Sequence, residues 1–183
     1  MVVELEYYSG LNERGGLIMS VYKVPGVSEQ KLIYPNHPVD WIIHLVKNGN
    51  VCEECGDVEM GLLSNACNSH THGMERYNHL DFQLVLNYSN VEIMRILNTL
   101  GCMVRDGFRF EDGDLIEGIY LDCPVKLKLF NETERSVFRV IVPDKYNKFP
   151  EEDGCMDEYL IQNLETEDLF VEHLKATVEG GLN

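Results

Sequence analysis

Basic side chains are scarce in this sequence. Fifteen lysines and arginines stand against 31 aspartates and glutamates, for a formal net charge of −16. A surface so short of cations excludes the clustered positive charge that phosphate backbones and anionic membranes require. Long apolar runs are missing as well: no stretch approaches the ~20 residues that a membrane-spanning helix needs. The opening Met1-Val2-Val3-Glu4-Leu5-Glu6 has neither a basic region nor an apolar core segment, so no secretory signal is expected. The Walker loop, the Gly-x-Ser-x-Gly elbow and the Rossmann fingerprint are all absent, which removes the commonest nucleotide-binding and nucleophile motifs. Neither an internal repeat nor a low-complexity linker divides the chain. At 183 residues it is expected to form a single domain over 1–183, with an N-terminal hairpin and helix lobe over 1–50 packed on a core over 67–175.

What is present in excess is acid. The C-terminal part carries Glu151-Glu152-Asp153, Asp157-Glu158, Glu165 and Glu167-Asp168. Such a run is ordinarily a solvated face that keeps the protein soluble. Its functional reading is a row of carboxylates spaced like phosphates, able to occupy the basic cleft of a nucleic-acid-binding protein.

Hydrophobic patterning points to an α+β fold, mainly an antiparallel sheet with two or three helices. Leu17–Val24 is rich in β-formers and stops at Pro25-Gly26; with Val3–Tyr8 it suggests a hairpin. Pro38 and the apolar positions Trp41, Ile42, Leu45 and Val46 predict a helix ending near Gly49, with Trp41 in the core. Residues 49–78 lack periodicity and read as a loop. The segment from His79 to Leu86 predicts a strand. Ser89-Asn90-Val91-Glu92 is a capping box, and Ile93, Leu97, Leu100 and Val104 on one face predict a helix over 90–105 with Gly107 beyond it. Asp112-Gly113 is a turn. Val125–Phe130 and Ser136–Val142 predict paired strands, and a short helix is expected over 166–177.

The chain has six cysteines and no expected route out of the cytoplasm, so its thiols are better read as ligands than as a disulfide framework. Cys52 and Cys55 form a Cys-x2-Cys pair; eleven residues on, Cys67, His70 and His72 follow. Two short-spaced pairs can supply a tetrahedral shell, and sulfur with imidazole is what zinc prefers. The expected ligands are Cys52, Cys55, Cys67 and His70, with His72 as the alternative fourth. Three thiolates would make the metal a poor Lewis acid, which favours a structural zinc that pins the loop. Two bland readings stand beside this one: unremarkable thiols, or a redox pair lacking its usual helix-opening context.

Three stretches together resemble an uncharacterised bacterial and phage family, domain of unknown function 4262. They are Thr71-His72-Gly73-Met74 running into His79–Leu86; Ile96-Leu97-Asn98-Thr99-Leu100-Gly101 with Arg105-Asp106-Gly107 and Phe110–Asp114; and Val142-Pro143-Asp144 with Phe149-Pro150. The resemblance covers about residues 67–160. It implies an α+β fold and a cytoplasmic setting in a bacterium or phage-infected cell, and carries no activity.

Two functions follow as expectations. The first is an acidic interaction or inhibitor protein with a structural zinc, comparable to phage anti-defence (anti-CRISPR-like) proteins, docking on a basic, nucleic-acid-binding partner protein. The second is a metal-dependent hydrolase using histidines of the 70–81 segment, with His72, His79 and Asp81 as the candidate catalytic residues. An acid/base group of this kind needs an imidazole that titrates near neutrality and a carboxylate to orient it. Arg105, Arg109 and Arg139 could bind a small anion, though scattered arginines in an acidic protein more often form ion pairs.

Overall fold

The computed structural model describes residues 19–22, 30–33, 39–48, 61–132 and 135–170. Strands β1 (Met19–Tyr22) and β2 (Gln30–Ile33) pair antiparallel, with Met19 opposite Ile33. The sequence-predicted strand over 17–24 is therefore present as β1, and its partner comes after Pro25-Gly26. Val3–Tyr8 lies outside the described residues.

The main sheet has six strands in the order β3-β4-β5-β8-β7-β6. They are β3 (Ile42–His44), β4 (Ala66–His72), β5 (Asp81–Leu86), β6 (Leu115–Ile116), β7 (Val125–Asn131) and β8 (Ser136–Ile141). Neighbours run antiparallel except β5 and β8, which are parallel. A parallel pair needs a long crossover, and here it contains the helix α1 (Asn90–Arg105) and the two strands β6 and β7. The class is α+β and mainly antiparallel, as the patterning predicts. Among the described residues no helix is long and apolar enough to cross a membrane.

Two segments differ from expectation. Where the apolar spacing predicts a helix after Pro38, Ile42–His44 is the edge strand β3. Ile42 and Ile43 are β-branched and stiff in a helix, and pairing with β4 satisfies backbone groups that a helix this short would hold poorly. Trp41 still enters the core, where it is 5% exposed. Where residues 49–78 read as loop, Ala66–His72 is a seven-residue strand. Its two faces carry Cys67, Ser69 and Thr71 against Asn68, His70 and His72, so neither shows an apolar stripe.

The helix α1 packs against β4 and β5. Ser89 caps it, its Oγ accepting from the Glu92 N–H at 3.2 Å. Only half of the capping box forms. The Glu92 carboxylate turns instead to the buried Arg95, accepting from Nε at 2.9 Å and Nη2 at 2.6 Å. Trp41 ties β3 to this helix: its indole N–H donates to Asn98 Oδ1 at 3.0 Å, and its ring lies flush against Gly101. β5 is buried along nearly its whole length. Alternate side chains of β5 and β8 meet the C-terminal segment, whose 3-10 turns span Asp157–Asn163 and Glu167–Leu169. Arg139 holds that segment, donating to Gln83 Oε1 at 2.7 Å, to the carbonyls of Gln162 and Leu164, and to Thr166 Oγ1 at 2.9 Å. Of the predicted helix over 166–177, Glu167–Leu169 is a 3-10 turn and everything after 170 lies outside the described residues.

Candidate metal centre

The histidines of β4 share their strand with Cys67 but stand on its other face. They meet a third histidine across the strand pair. β3 and β4 pair with His44 opposite His70 and Ile42 opposite His72. Side chains directly opposite on an antiparallel pair share a face, and so do residues two apart on one strand. His44, His70 and His72 therefore project together at the sheet edge. One ligand nitrogen from each lies within 4.8 Å of the others. Ring centroids are 4.5 Å apart for His44 and His72, 4.8 Å for His70 and His72, and 5.5 Å for His44 and His70. Nitrogens around a tetrahedral zinc stand ~3.4 Å apart, given zinc–nitrogen bonds near ~2.05 Å. The cluster needs only a small contraction to hold an ion.

Its hydrogen bonds favour ligation at His70. The Nδ1–H of His70 donates to the Asn68 carbonyl at 2.8 Å, leaving Nε2 with its lone pair. Metal-binding histidines are commonly oriented in this way. His70 is buried, and burial first, with the nearby Arg135 guanidinium second, holds its pKa down at about 4, so the ring is neutral near neutral pH. His70 Nε2 and His72 Nε2 stand 3.0 Å apart, and Arg135 Nη1 lies 3.5 Å from His72 Nδ1. Arg135 is anchored by Glu132, which accepts from its Nε at 2.8 Å. Glu132 in turn accepts from Gln83 Nε2 at 2.8 Å and Thr166 Oγ1 at 2.9 Å. Burial alone would raise the Glu132 pKa; the hydrogen bonds from Arg135 and Thr166 outweigh it and leave the carboxyl below its usual range.

His72 also lines a cleft of about 550 Å³, shared with Asn68, Glu132, Arg135, Glu165 and Thr166 among others. One wall of the centre is thus open to a polar, predominantly acidic recess.

The sequence-predicted ligands separate. His70 and His72 enter the cluster; Cys67 does not. Cys67 is three residues from His70 on the same strand and so lies on the opposite face, where it enters the hydrophobic core. There its thiol donates to the carbonyls of Leu84 at 3.2 Å and Leu86 at 3.1 Å. Burial raises its pKa, which disfavours the thiolate that a metal needs. Cys52 and Cys55 lie outside the described residues. His44 is the residue the sequence reading omits. Read as a strand, Ile42 and His44 alternate with Ile43 and Leu45, and that period is the signal that the helical reading hides.

The other candidates are held elsewhere. His79 precedes β5 and packs against the rings of Phe82, Phe110 and Phe138, at centroid distances of 5.1, 5.7 and 5.4 Å. Its Nδ1–H donates to the Leu80 carbonyl at 2.7 Å, while its buried Nε2 meets no hydrogen-bond partner among the described residues. Asp81 is a turn anchor: it accepts from Thr71 Oγ1 at 3.0 Å and from the Met74 N–H at 3.3 Å. Its cation is Arg135 at 4.0 Å. The three arginines considered for an anion are occupied as well. Arg105 pairs with Asp106, Arg109 donates to the Val104 and Phe108 carbonyls, and Arg139 is buried in the strap described above.

Comparisons with protein families, curated proteins and solved structures find no match.

Proposed function

We propose that this chain binds a divalent transition metal, zinc in the first place, through His44, His70 and His72, and that the centre serves metal-assisted hydrolysis in the adjoining cleft. The observation that carries the reading is the convergence of three imidazoles from two adjacent strands, with one of them lining a recess. Three protein ligands leave a fourth position for water or substrate, the composition of catalytic rather than structural zinc sites. A thiolate-rich shell would quench Lewis acidity, whereas neutral imidazoles preserve it. Zinc bound in such a shell polarises carbonyl and phosphoryl groups and lowers the pKa of water. The protein's own share is to hold His70 by the Asn68 carbonyl, to tie the two strands at the ligand row, and to present carboxylates around the opening.

Calorimetric titration with zinc, and with cobalt for its absorption bands, tests the reading. One ion per chain is expected for the wild type and for Cys67→Ala, with loss of binding in His44→Ala. Hydrolysis of an activated ester should follow the metal, disappear with a chelator and be absent in His44→Ala. Zinc binding that survives His44→Ala and fails in Cys67→Ala would overturn it in favour of the thiolate site.

A second reading rests on a different observation. Glu151, Glu152, Asp153, Asp157, Glu158, Glu165 and Glu167 are all exposed. That row suits docking on a basic protein, including one whose cleft binds nucleic acid, with the metal as a fastening between β3 and β4.

A further inference from the structure

We propose that residues 107–113 form a flap over His79 that swings open when the imidazole takes up a proton. The inference is independent of the metal centre.

His79 is 9% exposed, and its ring is enclosed by those of Phe82, Phe110 and Phe138. The Leu80 carbonyl lies 2.7 Å from Nδ1, and a carbonyl only accepts, so the hydrogen of the neutral ring sits on Nδ1. Nε2 then keeps a lone pair that no donor meets among the described residues. Buried polar atoms in folded proteins are rarely left in that state. Protonation sharpens the conflict: Nε2 becomes a charged donor among phenyl rings, which is far costlier to bury. The charged groups that bear on the ring are Arg109 from the flap, which disfavours its positive form, and Asp81 from β5, which favours it; β8 presents Phe138. Burial outweighs both charges. An imidazolium at this position must therefore reach water.

The three walls are not equally fixed. Phe82 and Phe138 are paired residues of the parallel strands β5 and β8, and are 0% and 7% exposed. Phe110 lies between α1 and β6, outside any helix or strand, and is only half-buried. The hydrogen bonds around it are local. The Phe108 N–H donates to the Met103 carbonyl, the Glu111 N–H to Asp114 Oδ2, and the Arg109 guanidinium to the Val104 and Phe108 carbonyls. The chain rejoins the sheet where Asp112 Oδ1 accepts from the Leu129 N–H and the Gly113 N–H donates to the Leu127 carbonyl. Glycines of positive φ bound the segment, Gly107 at 104° and Gly113 at 90°. Such positions readily absorb a hinge rotation. Phe108 stacks on Phe110 with centroids 6.3 Å apart and is already 55% exposed, so it travels with the flap. Opening hydrates Nε2 and turns both rings toward solvent.

Amide hydrogen exchange over a series of pH values, corrected for the chemical rate, tests the flap alongside the proton and carbon shifts of the His79 ring. In the wild type, protection of 107–113 should start to fall as the pH drops below about 6.5, the ordinary value of an exposed imidazole. It should then fall about tenfold per pH unit, the slope set by one proton. Strands β5 and β8 should keep their protection. In His79→Leu the slope should vanish. In Phe110→Ala the ring is uncovered and should titrate near its ordinary value. A wild-type ring that takes up its proton while 107–113 stays protected overturns the flap. So does the wild-type slope in His79→Leu, or a ring in Phe110→Ala that titrates where the wild type's does. Loss of β5 protection in step with the segment also overturns it, since the proton would then be opening the whole fold. Phe110→Ala keeps the test open if His79→Leu does not fold.

Discussion

At the scale of single residues, histidines of opposite character lie a few positions apart. His70 is buried with a carbonyl for one nitrogen and an imidazole for the other. His79 is buried against three phenyl rings with one nitrogen unmatched. Burial is the main reason its pKa lies below the ordinary 6.5. The folded protein therefore prefers the neutral ring, and on acidification the unfolded chain takes up the proton first. Its contribution to stability is complete above about pH 6.5 and declines as the pH falls toward the lower, folded value. Denaturant unfolding at a series of pH values should show wild-type stability falling as the pH drops below about 6.5, with a shallower fall in His79→Leu. Parallel curves for the two proteins would mean that His79 titrates as freely when folded as when unfolded.

At the scale of elements, the helix over 90–105 and the strands near 81, 125 and 136 were legible because their apolar residues repeat at the period of the element. The metal-bearing strands were not. β4 is polar on both faces, and β3 holds only three residues whose neighbours also fit a helical stripe. Nothing local announces that His44 will stand opposite His70, because the pairing of residues 26 positions apart is a tertiary property. The thiol at Cys67 misled for a related reason: spacing suggests a ligand, but in a strand Cys67 alternates onto the face opposite His70 and His72, and that face meets the core. What positions β3 is its grip on α1. A Cβ at Gly101 would lie 2.8 Å from Cε2 and Cζ2 of Trp41, so the close approach of strand to helix depends on a missing side chain. Gly101→Ala is expected to cost about 1–3 kcal/mol by overpacking, despite alanine's better helix propensity. It should also weaken zinc binding, because displacing Trp41 displaces the ring of His44 three residues on. A variant as stable as the wild type would show that the indole can shift without consequence.

At the scale of the whole molecule, the net charge of −16 acts on folding and on association with opposite signs of salt dependence. Like charges crowded on a compact chain repel, and screening relieves them, since the Debye length shrinks from ~30 Å at 0.01 M to ~8 Å at 0.15 M. The melting temperature should therefore rise with added sodium chloride over that range. Docking of the exposed carboxylates on a basic partner draws on the same field and should weaken over the same range. A lysine-rich polypeptide serves as the probe, titrated by calorimetry in the buffers used for melting. If melting rises and binding falls together, one surface field governs both, and the acidic segment is a docking face in its own right. If binding persists unchanged at high salt, the contact is not electrostatic and the second reading fails. Zinc separates the two readings further. Bound at three histidines, it stabilises only the folded chain, by about 2.7 kcal/mol at a hundredfold excess over its dissociation constant. Removing Glu165 and Glu167 together as glutamines should reduce polypeptide binding while leaving that zinc-dependent rise in melting temperature nearly intact, whereas His44→Ala should do the reverse.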